Sequence, residues 1–218
     1  SPVLAGEMTI QEIVLNELDW YKENNIKLHT GKQIKTIDRV KRKVIAEDGT
    51  EEAYDRLLIA TGSTPFMLPI PGNDLPGVIG YRDIKDTDEM IEAARLHKHA
   101  VVIGGGLLGL EAANGLKLRG MDVTVVHLGP WLLERQLDEV AGRMLQKSLE
   151  DKGLKFLLET QTEALIQGES GRVAAIRFKG GMQIPADLVV MAAGIRPNYS
   201  LAESSGIYCN RGIVVNDT

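Results

Sequence analysis

The sequence predicts an α/β fold whose parallel sheet is covered on both faces. From about residue 80 onward, strand-like apolar runs alternate with helix-length segments, the alternation that crossover-connected parallel strands require. One of those runs passes directly through a glycine cluster into an amphipathic helix. The stretch before residue 60 reads differently, as a helix followed by short antiparallel strands, so the chain is expected to hold parts of two domains.

In chain order, Thr9 and Glu12 have capping-box spacing ahead of Ile13, Val14, Leu18 and Tyr21. That spacing predicts a helix ending near Asn24 and Asn25. Residues 27–29, 33–38 and 43–46 read as short strands among turn signals, of which Asp48-Gly49 is the clearest. Leu57, Leu58, Ile59 and Ala60 predict a buried strand running into Thr61, Gly62 and Ser63. Pro65, Pro69, Pro71, Gly72, Pro76 and Gly77 crowd the next stretch and mark a crossing between domains.

Beyond it the spacing predicts a helix over 86–97, a strand over 100–103, a helix over 107–118 and a strand over 122–126. A further helix covers 138–152, with Asp138 as its cap, before a strand at 155–158. Residues 162–184 alternate like an antiparallel meander, turning at Glu169-Ser170-Gly171 and Lys179-Gly180-Gly181. Residues 188–191 form the last buried strand.

The chemistry-bearing motif is Val101-Val102-Ile103-Gly104-Gly105-Gly106-Leu107-Leu108-Gly109. A glycine cluster alone makes ordinary turns. Here an apolar strand precedes it, a helix follows, and the next strand ends at His127, eighteen residues past Gly109, close to the step expected in a Rossmann-type dinucleotide site. Gly104 would permit the tight turn, Gly106 would let a pyrophosphate approach the backbone, and Gly109 would let the helix pack close to the sheet. The free N–H groups at the start of the helix would face the phosphates. The bland alternative is a strand-turn-helix without a ligand. Glu111, two residues beyond Gly109, reads either as an acid favoured by the helix dipole or as a polar group near a nicotinamide.

Composition narrows the classes. The formal net charge of −5 argues against nucleic acid. No apolar run approaches the roughly 20 residues that span a bilayer, and a signal peptide is not expected from the short, non-basic opening of residues 1–7. Cys209 is the single cysteine, so an internal disulfide is impossible and a reducing cytoplasm is the expected compartment. One cysteine and four scattered histidines predict no metal site of the chain's own, and Cys209 reads as an ordinary half-buried thiol.

Three stretches occur in a telling order: Leu58 to Ser63, the glycine motif with Leu110-Glu111, and Ala192-Ala193-Gly194-Ile195-Arg196-Pro197-Asn198. This order resembles the pyridine-nucleotide:disulfide-oxidoreductase superfamily. Within it, Asp19-Trp20-Tyr21, Leu28-His29-Thr30-Gly31 and Glu134-Arg135-Gln136-Leu137-Asp138 are similar to the large subunits of NAD(P)H-dependent nitrite reductases, with rubredoxin and ferredoxin reductases as the nearest relatives. The resemblance implies a Rossmann-type NAD(P)H-binding domain over 78–195, inserted in a partial FAD-binding domain formed by 1–77 and 196–218. It implies that Ala60, Thr61 and Gly62 lie beside the flavin, that Gly104 to Gly109 hold the pyrophosphate, and that Glu111, Ala193 and Gly194 lie near the nicotinamide. The superfamily's own N-terminal glycine motif and its late Gly-Asp motif are not found in this sequence, so the chain is expected to be a piece of a longer protein.

That parent is expected to pass hydride from NAD(P)H to FAD, then single electrons to an iron-sulfur and siroheme nitrite-reducing centre in downstream domains, a role in nitrate assimilation. A rubredoxin or ferredoxin reductase and a non-enzymatic NAD(P)H-sensing flavoprotein are the alternatives. No catalytic acid or base is assigned in this chain, because the cofactors carry the chemistry; alone it is expected to bind dinucleotide without turnover and to hold little FAD. Missing sheet partners would leave an apolar patch that promotes self-association. His127 stands where a carboxylate commonly accepts the ribose hydroxyls of NADH. A neutral imidazole could bond the ribose, and a protonated one would attract a 2′-phosphate. The expectation is therefore NADH as main donor, with NADPH tolerance rising as pH falls.

Overall fold

A computed structural model describes residues 1–217. The chain begins with α1 (Pro2–Ala5), α2 (Leu18–Glu23), β1 (Ile34–Asp38), β2 (Lys43–Ala46), β3 (Glu51–Ala53) and β4 (Ser63–Pro65). It continues through β5 (Val78–Gly80), α3 (Ile84–Leu96), β6 (His99–Ile103), α4 (Leu107–Leu118), β7 (Asp122–Val126), α5 (Glu139–Asp151) and β8 (Lys155–Leu157). A meander of β9 (Thr162–Gln167), β10 (Val173–Phe178) and β11 (Gln183–Pro185) precedes β12 (Leu188–Met191), β13 (Ile195–Pro197) and α6 (Ser200–Ser204). These elements fall into two units, one of residues 1–13 and 65–194, the other of residues 14–64 and 195–218.

The first unit is built on a five-stranded sheet in the order β5-β12-β6-β7-β8, every pair parallel. Its central strands are apolar at nearly every position, because both faces are covered. Ala100, Val102, Val123, Val125 and Val190 face a core shared with Met90, Leu116 and Leu149 from the helices. Val101, Ile103, Val126, Val189 and Met191 face a second core with Leu165, Ile176 and Phe178 from the meander. Period-two alternation therefore divides each strand between a helical layer and an antiparallel one. The helices are capped by their own sequence: Asp83 and Asp86 form a reciprocal capping box on α3, and Asp138 accepts from the Ala141 N–H at 2.9 Å to start α5.

The second unit holds the antiparallel sheet β1-β2-β3. Ile37, Ala46 and Ala202 are buried in it. The Ile37 N–H donates to Ser205 Oγ at 3.1 Å, and Arg39 donates to the Gly206 carbonyl at 2.7 Å. β4 and β13 form a two-stranded ribbon.

Several expectations change. The Thr9–Glu12 capping bonds form, with Glu12 accepting from the Thr9 N–H at 2.7 Å, but only a 3-10 turn (Gln11–Ile13) follows before α2. Val14, Leu15 and Leu18 are exposed, so a continuous helix would have no apolar face to bury. Residues 27–29 form no strand. Leu57 to Ala60 also form none, and Leu58 is 89% exposed, since no described strand pairs with them. The unit boundaries lie near residues 64 and 194 rather than 77 and 195. The reason on one side is that Met67, Leu68, Ile70 and Leu75 pack onto the meander-side core. At the chain start, Leu4 of α1 is fully buried against Gly115, with Arg119 bonding the Val3 and Leu4 carbonyls.

Candidate dinucleotide site

β6 and β12 lie side by side, with Met191 opposite Ile103. The chain leaves β6 toward β7 on one side, whereas β12 and β5 lie on the other. The crevice beyond the carboxyl ends of β6 and β12 is therefore the switch point at which open α/β sheets bind ligands.

The glycine turn occupies that point. Gly104 has φ +129°, and a Cβ there would stand 2.3 Å from the Ala192 carbonyl oxygen, so both its backbone angle and its neighbour exclude a side chain. A Cβ on Gly109 would stand 1.9 Å from the Gly104 carbonyl oxygen; the missing side chain lets α4 press against the turn. Gly106 is the opposite case: an added Cβ would meet nothing within 4 Å. The open space lies over the residue that caps α4 without any side-chain hydrogen bond, leaving first-turn N–H groups for an anion. Leu107 and Leu108 are exposed at this end of the helix, 62% and 40%.

Gly105 is committed internally. Its N–H donates to His127 Nδ1 at 3.2 Å, and its carbonyl accepts from the Leu133 N–H at 3.1 Å. His127 Nε2 lies 2.8 Å from Glu134 Oε2, and the ring is only 10% exposed. Both ring nitrogens are thus taken, so the expectation that His127 offers one to the ribose, and gains NADPH by protonation there, does not fit this geometry. The carboxylate that reaches this strand end belongs to Glu134, which sequence reading passed over as part of a family stretch. Its signal would have been a loop position seven residues past His127, visible only once the loop folds back on Gly105.

Glu111 sits in the second turn of α4 with its side chain 57% exposed. The chain after β12 passes beside the glycine turn: the Ala192 N–H donates to the Ile103 carbonyl at 2.9 Å. Ala193 and Gly194 follow, and Gly194 accepts from the Phe66 N–H at 2.9 Å. Gly104, Gly109 and the residues ending β12 are therefore brought together.

The remaining family residues meet in the second unit. Thr61 Oγ1 donates to the Asn198 carbonyl. Asn198 Nδ2 donates to the Thr61 carbonyl at 3.0 Å, and the Asn198 N–H donates to the Gly62 carbonyl at 3.0 Å. Ala60 precedes this stitched turn and is exposed. Cys209 is half-buried, with its thiol directed at backbone carbonyls and its pKa raised by burial and by Glu203. That is the reverse of a reactive thiolate. Among the described residues no group of three metal-ligating side chains occurs, and no helix is long and apolar enough to cross a membrane.

Comparison with known proteins gives the family and the fold. The family model for pyridine nucleotide-disulphide oxidoreductases matches residues 1–218. The chain belongs to this family. It is 56% identical over 217 residues to a Bacillus subtilis protein named nitrite reductase [NAD(P)H], covering 100% of this chain and 27% of that protein. It is 48% identical to the assimilatory nitrate reductase electron transfer subunit of the same organism, covering 100% of this chain and 28% of that one. The solved structure of a covalent putidaredoxin reductase–putidaredoxin complex superposes with TM-score 0.91 at 30% identity, covering 100% of this chain and 53% of that one. The chain thus spans about a quarter to a half of the relatives it matches. Its fold is that of the two-dinucleotide-binding-domain flavoprotein reductases, with a Rossmann-type NAD(P)H-binding domain inserted in part of an FAD-binding domain.

Proposed function

We propose that the chain binds a nicotinamide dinucleotide across the carboxyl ends of β6 and β12, as the NAD(P)H-binding part of a flavoprotein reductase. The observation that carries this is the contrast among three glycines of one turn. Side chains at Gly104 and Gly109 would strike backbone, whereas one at Gly106 would enter open space beside an uncapped helix start. Packing explains the first two; a ligand explains the third. Gly106 and the first-turn N–H groups of Leu107 and Leu108 would receive the pyrophosphate. Glu111, Ala193 and Gly194 would lie toward the nicotinamide, and Ala60, Thr61 and Gly62 of the second unit would contribute to an FAD site.

Hydride transfer from nicotinamide to flavin is the cofactors' own chemistry; this chain's residues bind and orient. In the longer protein the electrons would go on to an iron-sulfur and siroheme centre that reduces nitrite, a reading supported by the 56% identity to a protein of that name. A second reading, delivery to a small redox protein, is supported by the 0.91 superposition on putidaredoxin reductase. NADH titration of the 218-residue chain, with ADP-ribose as competitor, tests the binding step. Saturable binding that ADP-ribose displaces is expected, with FAD retained well below one per chain; absence of NADH binding refutes the proposal.

A further inference from the structure

The second strand of the proposed site ends without an acid, yet a carboxylate stands one hydrogen bond further out. Building on the dinucleotide reading above, we infer that Glu134 is the residue that selects NADH over NADPH. Its carboxylate, presented by His127 at the end of β7, accepts the hydroxyls of the adenosine ribose and repels a 2′-phosphate.

The placement follows from register. β6 and β7 run parallel with Ile103 opposite Val126, so His127 stands beside the glycine turn. This is the position from which an acidic side chain meets the ribose in dinucleotide sites of this topology. Here the imidazole fills that place and ends on an acid. Because Nδ1 accepts from the Gly105 N–H at 3.2 Å, Nε2 carries the hydrogen of the neutral ring and donates to Glu134 Oε2 at 2.8 Å. The ring acts as a spacer between the turn and the charge.

The loop is shaped for the pair. Leu133, at φ +56°, bonds the Gly105 carbonyl, and Leu132 is fully buried, so Glu134 leaves the backbone from a fixed point. A Cβ on Gly129 would stand 2.7 Å from His127 Nε2 and 3.2 Å from the Glu134 carboxyl carbon. The bare glycine leaves room for the pair and nothing more. The Glu134 side chain keeps 35% of its surface in solvent, and a carboxylate with one oxygen committed to His127 retains several acceptor positions. Partial burial raises its pKa, but its own backbone N–H, the hydrogen bond and charge of His127 and the charge of Arg135 outweigh that, and the pKa is lowered. It therefore carries its charge at neutral pH.

The test titrates the 218-residue chain with NADH and NADPH in four forms: parent, Glu134→Gln, Glu134→Lys and Gly106→Val. The parent is expected to prefer NADH. Glu134→Gln can still accept from His127, so the loop is retained while the charge is lost. It should weaken NADH about 10-fold, equivalent to about 1.4 kcal/mol, in the range of a hydrogen bond to a charged group, with NADPH unchanged or tighter. Glu134→Lys should move the ratio further toward NADPH. Arg135 is present in every form, so it cannot produce the change. An unchanged NADPH-to-NADH ratio in Glu134→Gln, or equal weakening of both cofactors, overturns the assignment while leaving the site intact. If the parent binds neither cofactor, or Gly106→Val binds both as well as the parent, the dinucleotide reading fails and the assignment falls with it.

Discussion

Two substitutions in one turn should have opposite consequences. Gly106→Val places a branched side chain where an added Cβ meets nothing within 4 Å, at a residue with φ −85° and ψ −178°, an extended conformation that suits valine. The fold should accept it at a cost within about 0.5 kcal/mol. The ligand should not accept it, because the new methyls occupy the approach of the pyrophosphate; a loss of at least ~100-fold in NADH affinity, about 2.7 kcal/mol, is expected. Gly104→Ala reverses the balance. Its φ of +129° is costly for alanine, and its Cβ would lie 2.3 Å from a backbone carbonyl that cannot swing aside. Backbone strain and crowding together should remove roughly 2–4 kcal/mol of stability, a fall of about 5–15 °C in Tm for a chain of this size. Thermal unfolding by circular dichroism and NADH titration, both run on each variant, provide the check. Undiminished NADH affinity in a folded Gly106→Val, or a parental Tm in Gly104→Ala, would refute the division of labour among the glycines.

Two further outcomes follow from other parts of the structure. Amide hydrogen exchange should be slowest in β6, β7 and β12, whose residues are almost all buried, and fast over residues 26–30 and 57–60, which lack strand pairing; equal protection in the two sets would contradict the packing described. Asp187 supplies a pH dependence. Its partial burial raises its pKa, but the N–H groups of His99 (2.8 Å) and Lys98 (3.2 Å) and the His99 ring outweigh this and hold it below its ordinary value. A depressed carboxylate contributes stability above its unfolded pKa and loses it as pH falls through the folded one. Asp187→Asn should therefore lower Tm at pH 7, and the gap to the parent should close as pH falls below about 4; a gap that persists unchanged at pH 3 would remove the ionic role.

The parts of the fold written in local pattern were legible. β2, α4, β7 and β12 occupy the residues their apolar spacing indicates; for β7 and β12 this is because a strand covered on both faces must be apolar at successive positions. Asp138 announces α5 by its own chemistry. What escaped was set by distant partners. Pro2 to Ala5 carry no helical signal, and α1 exists because Gly115 leaves a notch for Leu4. Leu57 to Ala60 read as a strand, but strand character needs a neighbour, and none of the described strands provides one. At the site, the three glycines were readable from spacing to strand and helix. The commitment of His127 was not, because Glu134 meets it only through a loop that also bonds Gly105.

The outer strands of the parallel sheet, β5 and β8, are each three residues long. A strand that short offers a foreign chain too few consecutive N–H and C=O groups to continue the ladder, and β8 further carries the exposed Lys155 at its start. Sheet growth is thereby blocked at both ends of the dinucleotide unit. Residues 57–60, which form no strand among the described residues, are instead preceded directly by the exposed charges of Asp55 and Arg56, which oppose pairing with a foreign strand in the same way.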